Sequence, residues 1–314
     1  MVLIRMRYPS ARTLRICALA LFAVLMFQGA ALAAQPKQKT FETPEAAVEV
    51  LIQALRDHNE KALLAIFGPG SESLISSGDK VEDRVRREEF VRLYSEANRL
   101  EPAGDKKIIV HVGKNDWPFP IPIVKAGESW RFDTKQGREE ILNRRIGENE
   151  LETIQTCLAI VDAQREYAAV DRDGDGLLEY AQKFASTKGK TDGLYWEVKP
   201  GEKPSPLGPL VAKARGEGYS KQEKPAPYNG YFYRILTAQG ESAHGGAYSY
   251  LVKGKMVGGF AIVAYPATYA VSGVKTFIVN HEGVVYEKDL GRNTIKLAKA
   301  MKTFNPDKTW EKLE

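Results

Sequence analysis

The pattern of apolar and polar positions along the chain predicts two successive groups of elements. In the first group, helical periodicity begins behind Thr43-Pro44, which suits a helix N-cap followed by a first-turn proline. Two further helices and three strands bounded by turns follow this one. The pattern predicts these elements over residues 43–55, 63–67, 87–100, 107–112, 119–125 and 129–133. Helices followed by a small antiparallel sheet indicate an α+β domain over residues 40–147.

The second group starts with a long amphipathic helix. Asn149 and Glu152 have the spacing of a capping box, so the pattern predicts that this helix begins at Asn149. Apolar residues recur at helical spacing as far as Ala168, without an intervening Pro or Gly. An acidic loop over 171–182 follows, and the sequence around 177–186 predicts that a second helix begins there. The long helix and its loop are expected to organise the second domain.

The acidic loop has the chain's only metal-ligand spacing. Asp171, Asp173 and Asp175 alternate and are followed by Gly176, which matches the first half of an EF-hand calcium loop. Calcium takes several oxygen ligands, and glycine permits the sharp turn that lets the carboxylates converge. Leu178 is expected to point into the core, and Glu179 could supply a further ligand, directly or through water.

The expected bidentate glutamate at the end of this loop is replaced by Gln182. A weak structural Ca²⁺ site at Asp171, Asp173, Asp175 and Glu179 is therefore one interpretation. The other is a polar turn whose aspartates remain solvated.

After a segment rich in Pro, Gly and Lys over 187–229, the pattern changes to that of strands. Apolar and aromatic runs over 230–237, 247–252, 256–265, 274–280 and 284–287 predict an antiparallel sheet packed on the long helix. The aromatic residues of this region, Tyr228 among them, could stack on a sugar or peptide, but core positions are the favoured account. The second α+β domain is thus expected over 148–291, with a C-terminal helix capped by Asn293 and a tail over 292–314.

The first 33 residues have the features of a cleavable signal peptide. Four arginines precede an apolar run from Ile16 to Phe27, and Ala31-Leu32-Ala33 fits the cleavage pattern, so cleavage after Ala33 is expected. Removing residues 1–33, which carry four arginines and no acidic residue, lowers the formal net charge from +5 to +1. The charge therefore does not indicate a nucleic-acid partner. We expect a periplasmic or secreted protein that meets the membrane only through its signal peptide.

Several segments of the mature chain resemble a known bacterial family. They are YAAVDRDGDGLLEYAQKF, GLYW, GYFYRIL, GGAYSYLVKGKMVGGFAIVAYPATY and GVKTFIVNHEGVVYEKDLG. Together they are similar to the exported proteins grouped as Domain of Unknown Function 2950, over residues 41–291. This resemblance implies an extracytoplasmic location but no assigned activity, so it gives no residue a role. The long helix followed by a sheet also resembles the plan of type II pseudopilin heads, which often carry a structural calcium.

Candidate catalytic residues are few. His244 lies two residues from Ser242 in a glycine-rich segment, but neighbours along a chain rarely form a catalytic dyad. Cys157 is the one cysteine left after signal cleavage, and a small core residue is the favoured interpretation.

The sequence therefore favours a non-enzymatic binding or structural module for a protein or glycan of the cell envelope. The alternatives are a periplasmic hydrolase with a site near His244 and an assembly factor for surface fibres or secretion. The activity, the ligand and the oligomeric state do not follow from the sequence.

Overall fold

The computed structural model describes residues 37–219 and 226–313, so the predicted signal peptide lies outside the described residues. Residues Gln38–Glu314 form one compact unit in which two hydrophobic cores are distinct. The fold is mixed α+β, with helices in the N-terminal half and the larger sheet in the C-terminal half. This arrangement confirms the predicted fold class. None of the described helices has the length and apolarity that a membrane crossing requires.

The first core lies between four helices and an antiparallel sheet. The helices are α1 (Pro44–Arg56), α2 (Glu60–Phe67), α3 (Glu72–Ile75) and α4 (Lys80–Glu96). The strands are β1 (Asn98–Pro102), β2 (Lys107–Val112), β3 (Trp117–Pro118), β4 (Ile123–Ala126) and β5 (Ser129–Phe132). They pair in the order β1-β2-β4-β5, with β3 also on β2. The predicted third helix is therefore displaced toward the N-terminus, and the last residues assigned to it form strand β1.

The start of α4 shows why this helix begins earlier than its apolar pattern suggests. Asp79 occupies the N-cap, and its Oδ1 accepts the backbone N–H groups of Val81 and Glu82 at 3.1 and 3.2 Å. Such a cap satisfies N–H groups that the first helical turn leaves without partners. The first turn is polar, so its helical start has no hydrophobic signal in the sequence.

Helix α5 (Thr134–Ala168) runs without interruption for 35 residues. The prediction of a helix start at Asn149 is wrong, because Asn149 lies in the middle of α5 and is buried. Its side-chain amide donates to the carbonyl oxygen of Ser272 at 2.9 Å, and its side-chain oxygen accepts from Arg86 at 3.0 Å. Asn149 therefore serves as a tertiary link rather than a cap. The division into domains at residue 147 stays a prediction, and the helix crosses that position unbroken.

The second core lies between the C-terminal part of α5 and the larger sheet. Helix α6 (Gly208–Gly216) precedes the strands. The strands are β6 (Tyr231–Leu236), β7 (Ala238–Gln239), β8 (Tyr248–Ser249), β9 (Leu251–Val252), β10 (Lys255–Met256), β11 (Ala261–Pro266), β12 (Lys275–Asn280), β13 (Val285–Asp289) and β14 (Glu311–Lys312). The five-stranded antiparallel sheet has the order β14-β13-β12-β11-β6. A 3₁₀ turn at Gly291–Asn293 leads into α7 (Thr294–Ala300).

The central strand β11 explains the unbroken apolar character of this region in the sequence. All six of its residues are buried, because one face packs on α5 and the other on α7. A strand buried on both faces does not show the alternation of a half-exposed one. Tyr231 and Tyr250 are fully buried in this core, whereas Tyr195 and Trp196 are only partly buried at its edge. Core positions thus account for some of the aromatic residues but not for all.

Candidate functional site

The acidic loop follows the end of α5 and is organised by Asp171. The Oδ1 atom of Asp171 accepts the backbone N–H of Gly174 at 2.8 Å, and its Oδ2 accepts that of Gly176 at 2.9 Å. Both glycines have positive φ angles, +77° and +84°, which a residue with a side chain adopts only with strain. These backbone bonds, that of Gly176 first, hold the pKa of Asp171 below its ordinary range. The carboxylate is therefore ionised and fixed in position.

The loop brings together three of the four predicted ligands. One carboxylate oxygen from each of Asp171, Asp173 and Asp175 lies within 4.8 Å of the other two. Oxygens bound to one Ca²⁺ at about 2.3–2.6 Å can lie no more than about 5 Å apart, so this spacing is compatible with a common ion. The three carboxylates thus fit the first half of a calcium loop.

Two of these carboxylates, those of Asp173 and Asp175, also contact an ammonium group of the chain itself. The Nζ atom of Lys255, on β10, contacts Asp173 Oδ2 at 2.7 Å and also contacts Asp175 Oδ2. Glu179 Oε1, the fourth predicted ligand, is 3.7 Å from the same Nζ. Hydrogen bonds to Asp173 and Asp175 raise the pKa of Lys255 above its ordinary range. A cation position therefore exists at the loop, and Lys255 occupies it.

The second half of the loop departs from the EF-hand pattern. No helix follows residue 176 until α6, so the prediction of a second helix directly after the loop is wrong. Backbone groups there find distant partners, since Tyr180 N–H donates to Met256 O at 2.9 Å and Ala181 N–H to Gln164 Oε1 at 2.8 Å. These bonds hold the segment extended along the long helix and the β9–β10 hairpin.

Two side chains of this half also differ from the pattern. Leu178 is 58% exposed, so the expected apolar anchor is absent. Gln182 donates its side-chain amide to Gly254 O at 2.7 Å and so binds the hairpin backbone. Of the residues near the loop, Lys255 is the one that sequence reasoning missed. It lies 80 residues beyond Asp175, and only the pairing of its hairpin with the loop segment brings it close.

His244 has a carboxylate partner but lies in solvent. Its Nδ1 is 2.7 Å from Glu282 Oε1, while its side chain is 86% exposed. The backbone N–H of Ser242 donates a hydrogen bond to Asn305 Oδ1 at 2.8 Å. Four cavities in the described part of the chain are lined by neither His244 nor Ser242.

A cavity of about 330 Å³ lies in the N-terminal half, beside α1, α4 and α5. Its wall combines apolar residues with four arginines, Arg86, Arg87, Arg144 and Arg145, and with the acidic residues Asp83 and Glu148. Of these four arginines, only Arg87 falls within a helix predicted from the sequence. Nothing in their spacing indicates that they would meet around one space.

Comparison with known proteins identifies the family. The model of a family described as "Protein of unknown function (DUF2950)" matches residues 38–313, nearly all of the described chain. The chain therefore belongs to this family, and the resemblance inferred from its sequence segments is confirmed. No curated protein and no solved structure matches the chain. The likeness to pseudopilin heads accordingly has no support from these comparisons.

Proposed function

We propose that this chain is an exported, non-enzymatic binding module of the cell envelope whose acidic loop binds Ca²⁺ as a structural ion. The observations that support the calcium part are the mutual proximity of the Asp171, Asp173 and Asp175 carboxylates and the ammonium group that two of them, Asp173 and Asp175, already attract. A protein or glycan of the envelope is the expected partner. The exposed His244 supports a binding role over the alternative of a hydrolase.

Lys255 and Ca²⁺ compete for the same carboxylates in this proposal. Lys255 is 28% exposed and has a long, flexible side chain, so it can move into solvent when an ion enters. Its departure costs the contacts to Asp173 and Asp175, which lowers the apparent affinity for the ion. We expect an affinity typical of extracellular calcium modules, about 0.1–1 mM. Such an affinity suits a compartment with millimolar calcium and would leave the site empty in cytosol.

Thermal unfolding of residues 34–314 in millimolar CaCl₂ and in EGTA tests the calcium site. A ligand that binds only the native state raises its stability, by about 1.4 kcal/mol at ten times Kd. We expect a calcium-dependent rise of the midpoint in the wild type and none in Asp173→Ala. Lys255→Met should enlarge the rise, because it removes the competing ammonium. Lys253→Met changes an exposed lysine of the same hairpin and should behave as the wild type does.

Lys255→Met is the decisive variant. If its unfolding midpoint is the same in CaCl₂ and in EGTA, the loop does not bind calcium even when its competitor is gone. The loop would then be a turn closed by Lys255, and the calcium part of the proposal would be wrong.

Export is tested separately with the full chain, expressed in a Gram-negative host. The proposal predicts periplasmic or secreted protein whose N-terminus is Ala34, measured by fractionation and mass spectrometry. Cytoplasmic protein that retains residues 1–33 would contradict it. The readout does not depend on the acidic loop, so the two parts of the proposal stand or fall independently.

A further inference from the structure

The cavity in the N-terminal half has an apolar wall of the kind that holds small organic ligands. Its volume of about 330 Å³ lies at the lower end of the range for ligand pockets, about 300–1,000 Å³. The apolar part of the wall comes from α1, α2, α4, α5 and the segment after β3. It includes Leu51, Leu55, Phe67, Phe90, Phe119 and Ile141. A small apolar group would find contacts on several sides here.

Three of the four arginines at this cavity have carboxylate partners within the chain. Arg86 contacts both Glu82 and Glu148 at 2.7 Å, and Arg87 contacts Glu60 at 3.2 Å. Arg144 contacts Glu140 at 2.6 Å, and its guanidinium also lies 5.1 Å from the centre of the Trp117 ring. Their charges are therefore largely balanced inside the protein.

Arg145 differs from these three. It is only 5% exposed, and its terminal nitrogens donate to the backbone oxygens of Ser73 and Leu74, each at 2.6 Å. Its Nε has no hydrogen-bond partner, and within the described part of the chain no carboxylate oxygen lies within 4.0 Å of its guanidinium. Burial lowers the pKa of Arg145, as expected for a cation removed from water.

Asp83, a carboxyl group in the same wall, does not balance Arg145 by direct contact. Both of its oxygens accept the backbone N–H of Ser77, at 3.1 and 3.0 Å. Burial also raises the pKa of Asp83, which disfavours its charged form. Glu148, the other acidic residue of the wall, contacts Arg86, so neither acid pairs directly with Arg145, although Asp83 is the opposing charge that acts on it most. A buried charge without a directly paired counter-charge is costly, so an anion in contact with Arg145 would be favourable there.

We propose that this cavity binds a small monocarboxylate with an apolar body, whose carboxylate is the counter-ion of Arg145. The apolar wall receives the body of the ligand. This inference rests on the proposed binding function but not on the acidic loop. It names the ligand class of the module as an amphipathic organic anion.

Isothermal titration calorimetry with three probes of the same shape tests the proposal. The probes are 1-naphthoate, 1-naphthylmethanol and 1-naphthylmethylamine, which share one aromatic body and carry a negative, neutral or positive head group. The protein is residues 34–314 in EGTA, so that the acidic loop plays no part. We expect 1-naphthoate to bind at least tenfold more tightly than the alcohol, and the amine not to bind. Equal binding of all three probes, or no binding of 1-naphthoate, would overturn the proposal.

Variants of α5 locate the site. Arg145→Met should weaken 1-naphthoate binding at least tenfold, whereas Arg138→Met should leave it unchanged. Arg138 is the matched control, because it lies on the same helix and contacts Ser73 Oγ at 3.0 Å but is not part of the cavity wall. Circular dichroism melts check that each variant is folded, since Arg145 also holds two backbone oxygens.

A second variant keeps the test valid if Arg145→Met does not fold. Ile141→Trp fills the cavity without changing charge and should abolish binding of 1-naphthoate. Retained binding in Ile141→Trp would place the ligand elsewhere and overturn the assignment. If 1-naphthoate fails to bind while calcium still raises the unfolding midpoint, only the carboxylate inference fails and the proposed function remains.

Discussion

The two ends of α5 show opposite arrangements of charge. Near its N-terminal end, Arg145 is buried beside a cavity and has no carboxylate in contact. Beyond its C-terminal end, Asp173 and Asp175 are partly exposed and share the ammonium of Lys255. Asp173 and Asp175 thus already hold a cation of the chain itself, so an added cation must compete for them. At the cavity a buried cation has no carboxylate in contact, so an added anion would pair with it.

The backbone is also packed more closely at the cavity end of α5 than at the loop end. A Cβ atom added at Gly137 would lie 2.3 Å from the backbone oxygen of Pro120, whereas one added at Gly176 would meet nothing within 4 Å. The cavity end of α5 is therefore packed closely against the segment between β3 and β4, and the loop end is open. Close packing favours a preformed pocket, while an open loop can adjust around an ion.

Gly137→Ala tests the rigid end and should have the largest effect on stability. A methyl group there must displace backbone atoms, so we expect a loss of at least about 2–3 kcal/mol in the free energy of unfolding, measured with urea. Gly147→Ala is the matched control on the same helix, because a Cβ atom added there would have nothing within 4 Å. It should stabilise the protein by about 0.5–1 kcal/mol, since alanine favours a helix more than glycine does.

If the two glycine variants behave alike, the close approach of α5 to the first sheet is wrong. The cavity could then not be regarded as preformed, and the contrast between the two ends would disappear.

The reactivity of the Cys157 thiol tests how tightly the middle of α5 is packed in the second core. Cys157 is fully buried, and burial raises the pKa of its thiol to about 12. A thiol reagent needs both access and the thiolate, so native protein should show no reaction at pH 8 while urea-unfolded protein reacts rapidly. The thiol introduced by Glu166→Cys, on the exposed side of α5, should react in the native state. Similar rates for the two thiols would show that this core opens readily.

The pKa of Asp171 tests the order of the acidic loop, where we expect the smallest effect on stability. Because backbone bonds from Gly176 and Gly174 lower its pKa, its folded value should lie below the ordinary aspartate value of about 3.9. Its contribution to loop stability is therefore present above that ordinary value and is lost as the pH falls through the lower folded value. Carboxyl NMR titration, with Asp171→Asn to assign the signal, measures this. A value at or above about 3.9 would show that the backbone bonds do not persist in solution.

The sequence by itself determined the order and type of most elements. Alternation and apolar runs located most strands of the two larger sheets, though not β1 or β14, because strand periodicity and burial are local properties of the chain. The strand predicted over 107–112 coincides with β2, and that over 274–280 differs from β12 by one residue. The spacing of Asp171, Asp173 and Asp175 also gave the acidic loop, since a turn and its glycine are encoded within a few residues.

Only the tertiary structure decided which partners the polar residues of the chain contact. Asn149 has the local features of a cap, yet its contacts to Ser272 and Arg86 keep it inside α5. Lys255 and Arg145 take their importance from neighbours that are distant in sequence, at the acidic loop and at the segment around Ser73. A periodic pattern records which face of an element is apolar, but it does not record which charges meet. The cation of the loop and the unpaired cation of the cavity therefore emerged only when the chain was folded.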